Sequence, residues 1–203
     1  MKIFYCLLIL IMSLALVIKY YATPKQLHIY RIDTQQHLNE ITALINQAYK
    51  KVAWLKDKVK RTTADELDAI VKHPDQALYA CFDSHRICAA AVLDKADEKD
   101  KLMVEMLSVH TDYQGKNIGT SMLNFLEQEA VHRFKTAALY LYVVPCAQER
   151  LIAYYQRHGF TVVAEKPYTL FKVVKPAYHD QMSLLLMRKS LNQYNSHDQT
   201  DTQ

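Results

Sequence analysis

The residues whose types and spacing could do chemistry lie in two short segments, Gln114-Gly115-Lys116-Asn117-Ile118-Gly119-Thr120 and Tyr154-Tyr155-Gln156-Arg157-His158-Gly159-Phe160. The chain has only three glycines, and all three are here. Glycine is required where backbone turns with positive φ or must approach a ligand closely, so a chain that avoids it elsewhere keeps it for a geometric reason. The first segment follows the apolar run Leu107-Ser108-Val109 and a short loop, and it opens a helical pattern. In such a strand-loop-helix passage, successive N–H groups and the helix dipole converge on an anion, which is the chemistry of phosphate binding. An ordinary strand-to-helix connection also uses glycine, so this segment alone leaves both readings open.

A second chemical candidate is Glu105, the one charge between Leu102 and Val109. By two-residue alternation it shares a face with Leu107 and Val109. A carboxylate there could take a proton from a nucleophile directly or through water; the alternative is a strand-end glutamate paired with lysine or solvated. Four cysteines, Cys6, Cys81, Cys88 and Cys146, form no Cys-x-x-Cys pair, and three of them sit in apolar runs where a reduced cysteine behaves as a small hydrophobe. Cys146 has no histidine partner at a suggestive spacing, which argues against a thiol nucleophile. The nine histidines are scattered singly, so no metal site is expected.

These residues must be positioned by regular elements, and the apolar periodicity supplies them. Residues 27–33 alternate as a strand, and Leu38, Ile41, Leu44, Ile45 and Ala48 recur at helical spacing. Thr63-Ala64-Asp65-Glu66 is a capping box that starts a second helix, stopped before Pro74. Runs 77–82 and 86–93 flank Asp83-Ser84-His85 as a hairpin, and the next strand is Leu102–Val109. Ile118, Met122, Leu126 and Ala130 mark a long helix; a strand over 137–144, a helix over 148–158 and strands near Phe160 and Met182 follow. The expected order is β-α-α-β-β-β-α-β-α-β-β, one α/β (α+β) domain over residues 27–191.

The remaining features bound partners and location. A net charge of +4 with scattered basic residues gives no argument for nucleic acid. Residues 3–18 carry no charge and would span roughly 24 Å as a helix. With Lys2 and Lys19 able to snorkel and Tyr20 and Tyr21 suited to an interface, residues 1–24 read as a membrane anchor. Lys19, Lys25 and Arg31 after the run, against Lys2 before it, orient the folded part to the cytoplasm. A cleaved signal lacks the small-x-small site, and a mistaken start with a cytoplasmic protein is the other alternative. Residues 192–203 are polar, without apolar period, and read as a disordered tail.

With both motifs on the page, a resemblance becomes specific. The segment MLSVHTDYQGKNIGTSMLNFLEQEA resembles the acetyl-CoA motif of the GNAT N-acetyltransferases, Gln/Arg-x-x-Gly-x-Gly/Ala, and QERLIAYYQRHGF resembles that family's next signature, ending in Tyr-x-x-x-Gly-Phe. The resemblance implies a mixed, mostly antiparallel central sheet flanked by helices, and an acyltransferase moving acetyl from acetyl-CoA to a primary amine by direct attack. It implies that Leu107 and Val109 offer main-chain groups to the pantetheine and thioester. Gln114, Gly115, Lys116, Asn117, Ile118, Gly119 and Thr120 would hold the pyrophosphate. Tyr155 would protonate the departing thiolate, a role suited to a phenol that is neutral at pH 7, with Glu105 as a candidate base. Two positions depart from the pattern: Asn117 stands in a glycine slot, and Gln148 replaces the asparagine that begins the second motif. Asparagine tolerates the left-handed backbone better than most residues. The resemblance also places the acceptor between residues 48–63, rich in lysine around Trp54, and residues 164–181, with Tyr168, Phe171 and Tyr178. A non-catalytic acyl-CoA sensor on the same fold is the alternative function.

Overall fold

A computed structural model of the chain describes residues 27–95, 101–146 and 149–191. The expected anchor at 1–24, the tail at 192–203 and Gln148 lie outside the described residues. Among the described residues no helix is long and apolar enough to cross a membrane.

The elements follow the expected order. Strand β1 (Leu27–Ile32) leads into α1 (Leu38–Tyr49), whose Leu38, Ile41, Leu44 and Ile45 form one buried stripe. Helix α2 (Ala64–Lys72) begins at the capping box: the Glu66 N–H donates to Thr63 Oγ1 at 3.2 Å and the Thr63 N–H donates to Glu66 Oε2 at 2.8 Å. Strands β2 (Gln76–Asp83) and β3 (Arg86–Lys95) make the hairpin, with Ser84 at φ 59° in the turn. Then come β4 (Leu102–Val109), α3 (Ile118–His132), β5 (Ala138–Val143), α4 (Glu149–Arg157), β6 (Thr161–Pro167) and β7 (Ser183–Ser190).

The seven strands form one sheet in the order β1-β2-β3-β4-β5-β7-β6. Every pairing is antiparallel except β4 with β5. Alternating side chains sort into two buried layers. Tyr79, Ala91 and Leu93 with Leu102 and Val104 meet Met122, Leu123 and Leu126 of α3 and Tyr155 of α4 on one face. Leu78, Ala80, Ala90 and Val92 meet Ile41 and Ile45 of α1 and Leu67 of α2 on the other.

One strand breaks the alternation. Val92 pairs with Glu105 and Ala90 with Ser108, so β4 spends one more residue than β3 over this stretch, and Met106 takes φ 52°. This is a β-bulge, which re-aims every side chain beyond it. Val104 faces the α3 layer, Met106 faces the α1/α2 layer, and Leu107 and Val109 return to the α3 layer. Glu105, opposite Val92, therefore lies on the α1/α2 face and not with Leu107 and Val109 as strict alternation predicts. The bulge is the physical reason for that correction.

Strand β4 also parts from β5. Their parallel ladder covers only Leu102 with Leu139 and Met103 with Tyr140, although β4 continues to Val109 and β5 to Val143. The sheet opens between them, and main-chain groups beyond Met103 are released from that ladder.

Because the Thr63 cap fixes the start of α2 just after the loop that carries Arg61, its loss should be measurable as stability. Thr63→Ala is expected to cost about 1 kcal/mol, seen as a lower urea midpoint with an unchanged denaturant slope; an unchanged midpoint would show that the cap contributes nothing.

Candidate active site

The loop after β4 and the first turn of α3 build a hollow of about 410 Å³ against α4. Leu107, Val109, Gln114, Gly115, Asn117, Ile118, Gly119 and Thr120 all line it. Gly115 has φ 74° and Asn117 φ 60°, ψ 9°, so two left-handed residues turn the chain into the helix, and asparagine at the motif's first glycine slot keeps the turn. Such a turn leaves the first N–H groups of α3 unpaired within the helix and directed out of its N-terminus. The Gln114 side-chain amide donates to the Val109 carbonyl at 3.1 Å, tying the turn back to β4. Beneath the loop the Tyr113 hydroxyl donates to the buried Asp83 at 2.6 Å. Lys116 does not line the hollow; its ammonium stands 5.5 Å from the Tyr113 ring centre.

Gly119 serves a close approach. A Cβ there would stand 2.9 Å from Tyr154 Oη, so the absent side chain lets α4 close on α3. The same contact is reinforced by His158, whose Nδ1 lies 2.8 Å from the Tyr154 carbonyl and Nε2 3.0 Å from Thr120 Oγ1. A carbonyl can only accept, so Nδ1 carries a proton in this contact. Sequence reasoning missed this clamp, which fixes the Thr120 side chain toward α4.

Tyr155 is 8 % exposed and borders both this hollow and a second, larger cleft. Its ring packs on Tyr154 and Phe160, and no described residue accepts a hydrogen bond from its hydroxyl. Burial, and secondarily the neighbouring Tyr49 and Tyr154, push the phenol well above the usual tyrosine range. It therefore stays protonated across physiological pH and can act as a donor, not as a base.

The second cleft, of about 630 Å³, lies at the parting of β4 and β5. Glu105, Met106 and Leu107 line it together with Leu141, Tyr142 and Val143. Leu107 and Tyr155 belong to both hollows, so the two spaces adjoin through the opened sheet. Glu105 Oε2 lies 3.5 Å from Arg61 Nη2, with the side chains 36 % and 34 % exposed. The carboxylate thus both lines the cleft and has a basic partner, which is arginine and not lysine.

The two segments expected to flank an acceptor do meet. The Lys175 N–H donates to the Trp54 carbonyl at 2.9 Å and the Lys56 N–H to the Val173 carbonyl at 3.0 Å, around a bridge between Leu55 and Val174. Lys56 Nζ donates to the Lys172 carbonyl at 2.6 Å, and Lys175 pairs with Asp57 at 3.1 Å. Trp54, Leu55, Tyr168, Val174 and Met182 make a small core of their own there, which also takes in Cys146. The Cys146 thiol lies 3.6 Å from Gln181 Oε1. Among the described residues no group of His, Cys, Asp and Glu is arranged to hold a metal.

The comparisons with known proteins agree with this architecture. The model of the acetyltransferase (GNAT) family matches residues 38–160. None of the curated proteins matches the chain significantly. Among solved structures, an N-acetyltransferase from Staphylococcus aureus Mu50 is similar with TM-score 0.64 and 15 % identity, covering 81 % of this chain and 97 % of that one. The ribosomal-protein-S18-alanine N-acetyltransferase of Escherichia coli is similar at 0.62 and 16 %, covering 85 % and 98 %. A protein from Salmonella typhimurium, solved with its cofactor acetyl-CoA, gives 0.65 and 19 %, covering 86 % and 99 %.

Two measurements check the packing of this site. Gly119→Ala should lose about 1–3 kcal/mol through overpacking, and adding Tyr154→Phe, which removes the clashing oxygen, should restore most of it; equal losses in both variants would refute the contact. The raised Tyr155 and Tyr79 phenols, the latter lifted first by burial and then by its 2.6 Å hydrogen bond to Glu129, give a signed pH effect. Both ionise near pH 10 when unfolded and later when folded, so their contribution is fully present below about pH 10 and is lost as pH rises beyond it. Tyr79→Phe should flatten the alkaline fall in stability followed by circular dichroism.

Proposed function

Because the chain belongs to the acetyltransferase (GNAT) family, we propose that it transfers acetyl from acetyl-CoA to a primary amine that attacks directly, with no covalent enzyme intermediate. The supporting observation is that a buried phenol and a carboxylate about one-third exposed line one cleft where the sheet opens, and that this cleft adjoins the hollow at the start of α3.

On this reading the hollow at the start of α3 holds acetyl-CoA, and its features fit an anionic group: two left-handed turn residues, unpaired N–H groups and a close helix contact at Gly119. Acetyl-CoA supplies the activated acetyl thioester. Leu107 and Val109 offer main-chain groups beside it; Gln114, Gly115, Asn117, Ile118, Gly119 and Thr120 shape the phosphate cradle, Lys116 adds charge at its rim, and Gln148 is assigned there from the motif alone. The amine nitrogen forms the amide bond as the carbon–sulfur bond breaks. An ammonium must shed two protons: one passes through Glu105, or water beside it, to solvent. The other balances the proton that Tyr155 gives to sulfur and then regains.

The folded domain is assigned to residues 27–191. Residues 1–24 are proposed as a membrane anchor that leaves the domain in the cytoplasm, which fractionation of the full chain would test.

Tyr155→Phe is expected to lower the rate of CoA release by roughly 10²–10⁴-fold while calorimetry shows acetyl-CoA binding within a few-fold of the parent. An unchanged rate removes Tyr155 from proton transfer. Acetyl-CoA binding without CoA release for any amine would favour the non-catalytic sensor.

A further inference from the structure

We propose that the acceptor is a free apolar α-amino acid, held as a zwitterion along the Arg61 and Glu105 side chains; this rests on the acetyltransferase reading above. Among the described residues only three charged ones line the larger cleft, Lys60, Arg61 and Glu105, one carboxylate against two cations. A polyamine or a lysine side chain brings further positive charge to a space that is already basic, and like charges repel. An α-amino acid brings an ammonium for Glu105 and, on the same carbon, a carboxylate for Arg61.

The pair is arranged to receive such a molecule. At 3.5 Å it is a single long contact between groups each about one-third exposed, so most of the five guanidinium donors and the carboxylate acceptors remain available. An antiparallel zwitterion laid beside two adjacent opposite charges satisfies both at once. A guanidinium is also the group suited to bidentate carboxylate recognition. Arg61 is a built feature and not a loose surface side chain. Its N–H donates to Asn46 Oδ1 at 2.7 Å, Asn46 Nδ2 donates to the Thr62 carbonyl at 2.8 Å, and its guanidinium carbon lies 5.6 Å from the Tyr49 ring centre. These contacts pin the loop to α1 and aim the charge.

The rest of the cleft is suited to an apolar side chain. Val52, Trp54, Tyr168, Leu170 and Val173 provide aliphatic and aromatic wall. The Leu55–Val174 bridge and its main-chain hydrogen bonds tie together the two loops that flank the cleft. A peptide N-terminus would place a neutral amide where Arg61 calls for an anion. Acetyl transfer to the α-amine follows the proton balance given above, so no further reactant is needed.

The test compares L-phenylalanine, L-leucine and L-methionine with their decarboxylated amines and their C-terminal amides, using the full chain, CoA release, and calorimetric binding in the presence of CoA. The free acids should be favoured in kcat/KM by roughly 10- to 100-fold, the range of a hydrogen bond to a charged group. Arg61→Gln should raise KM for the acids by a similar factor and erase the preference, with kcat changing much less and Arg61→Lys recovering part of it. Amines or amides that react as well as the acids overturn the proposal, as does an Arg61→Gln variant that lowers all three classes equally. Acetylation of spermidine or a peptide but not of the amino acids overturns it while leaving the transferase reading intact. Carboxylate-dependent binding without CoA release supports the ligand class and instead removes the transferase reading.

Discussion

The structure depends on the early parting of β4 from β5. A continuous sheet would pair these strands along their length and seal one face from the other. Here the parallel ladder stops after Met103, and the bulge at Met106 turns Leu107 and Val109 away from the face that carries Glu105. The two changes work together. The parting makes an aperture, and the bulge puts a carboxylate on one side of it and the apolar lip on the other. A methionine at φ 52° is backbone that an L-residue adopts at a cost of order 1–3 kcal/mol, and the Ser108 hydroxyl, donating to the Met106 carbonyl at 2.9 Å, helps to hold it.

Around that aperture each face is served by its own helices. The α3 side carries the glycine-dependent turn, the Thr120–His158 link and the buried Tyr155. The α1/α2 side carries Asn46, which organises Arg61, and the capped start of α2. Each helix pair is packed on a separate layer of the core, and the two halves of the proposed chemistry meet at Ala48 of α1, Leu107 of β4, and Leu151 and Tyr155 of α4.

The elements were legible in the sequence wherever a period ran long enough. The four-residue spacing of Ile118, Met122, Leu126 and Ala130 and the Thr63 capping box each led to the right helix, because local hydrogen bonding and one apolar stripe determine them. Asn117 was legible too, since a glycine slot filled by the next most tolerant residue points to left-handed backbone. The side of the sheet occupied by Glu105 was not. Nothing in Val104-Glu105-Met106-Leu107 announces a positive φ, and one inserted residue reverses a two-residue period. The contacts of Arg61 with Glu105 and of Trp54 with Lys175 were hidden for a different reason. They join aperiodic loops distant in sequence, where composition signals exposure but not partner. His158 was read only as part of a motif, although its position four residues after Tyr154 and one before Gly159 is what lets it staple α4 to α3.

The strap between the loops near Lys56 and Lys172 joins positions 116 apart in the chain. Closing so long a loop is unfavourable until the intervening sheet exists, because its entropy must be met before the contact can repay it. By that argument the end of the cleft at Trp54 and Val174 should assemble late, after β7 has docked between β5 and β6. By the same reasoning it should open by a local fluctuation that leaves both main layers of the core intact. Amide protons of Lys56 and Lys175 should then exchange by this sub-global route, ahead of those in β3.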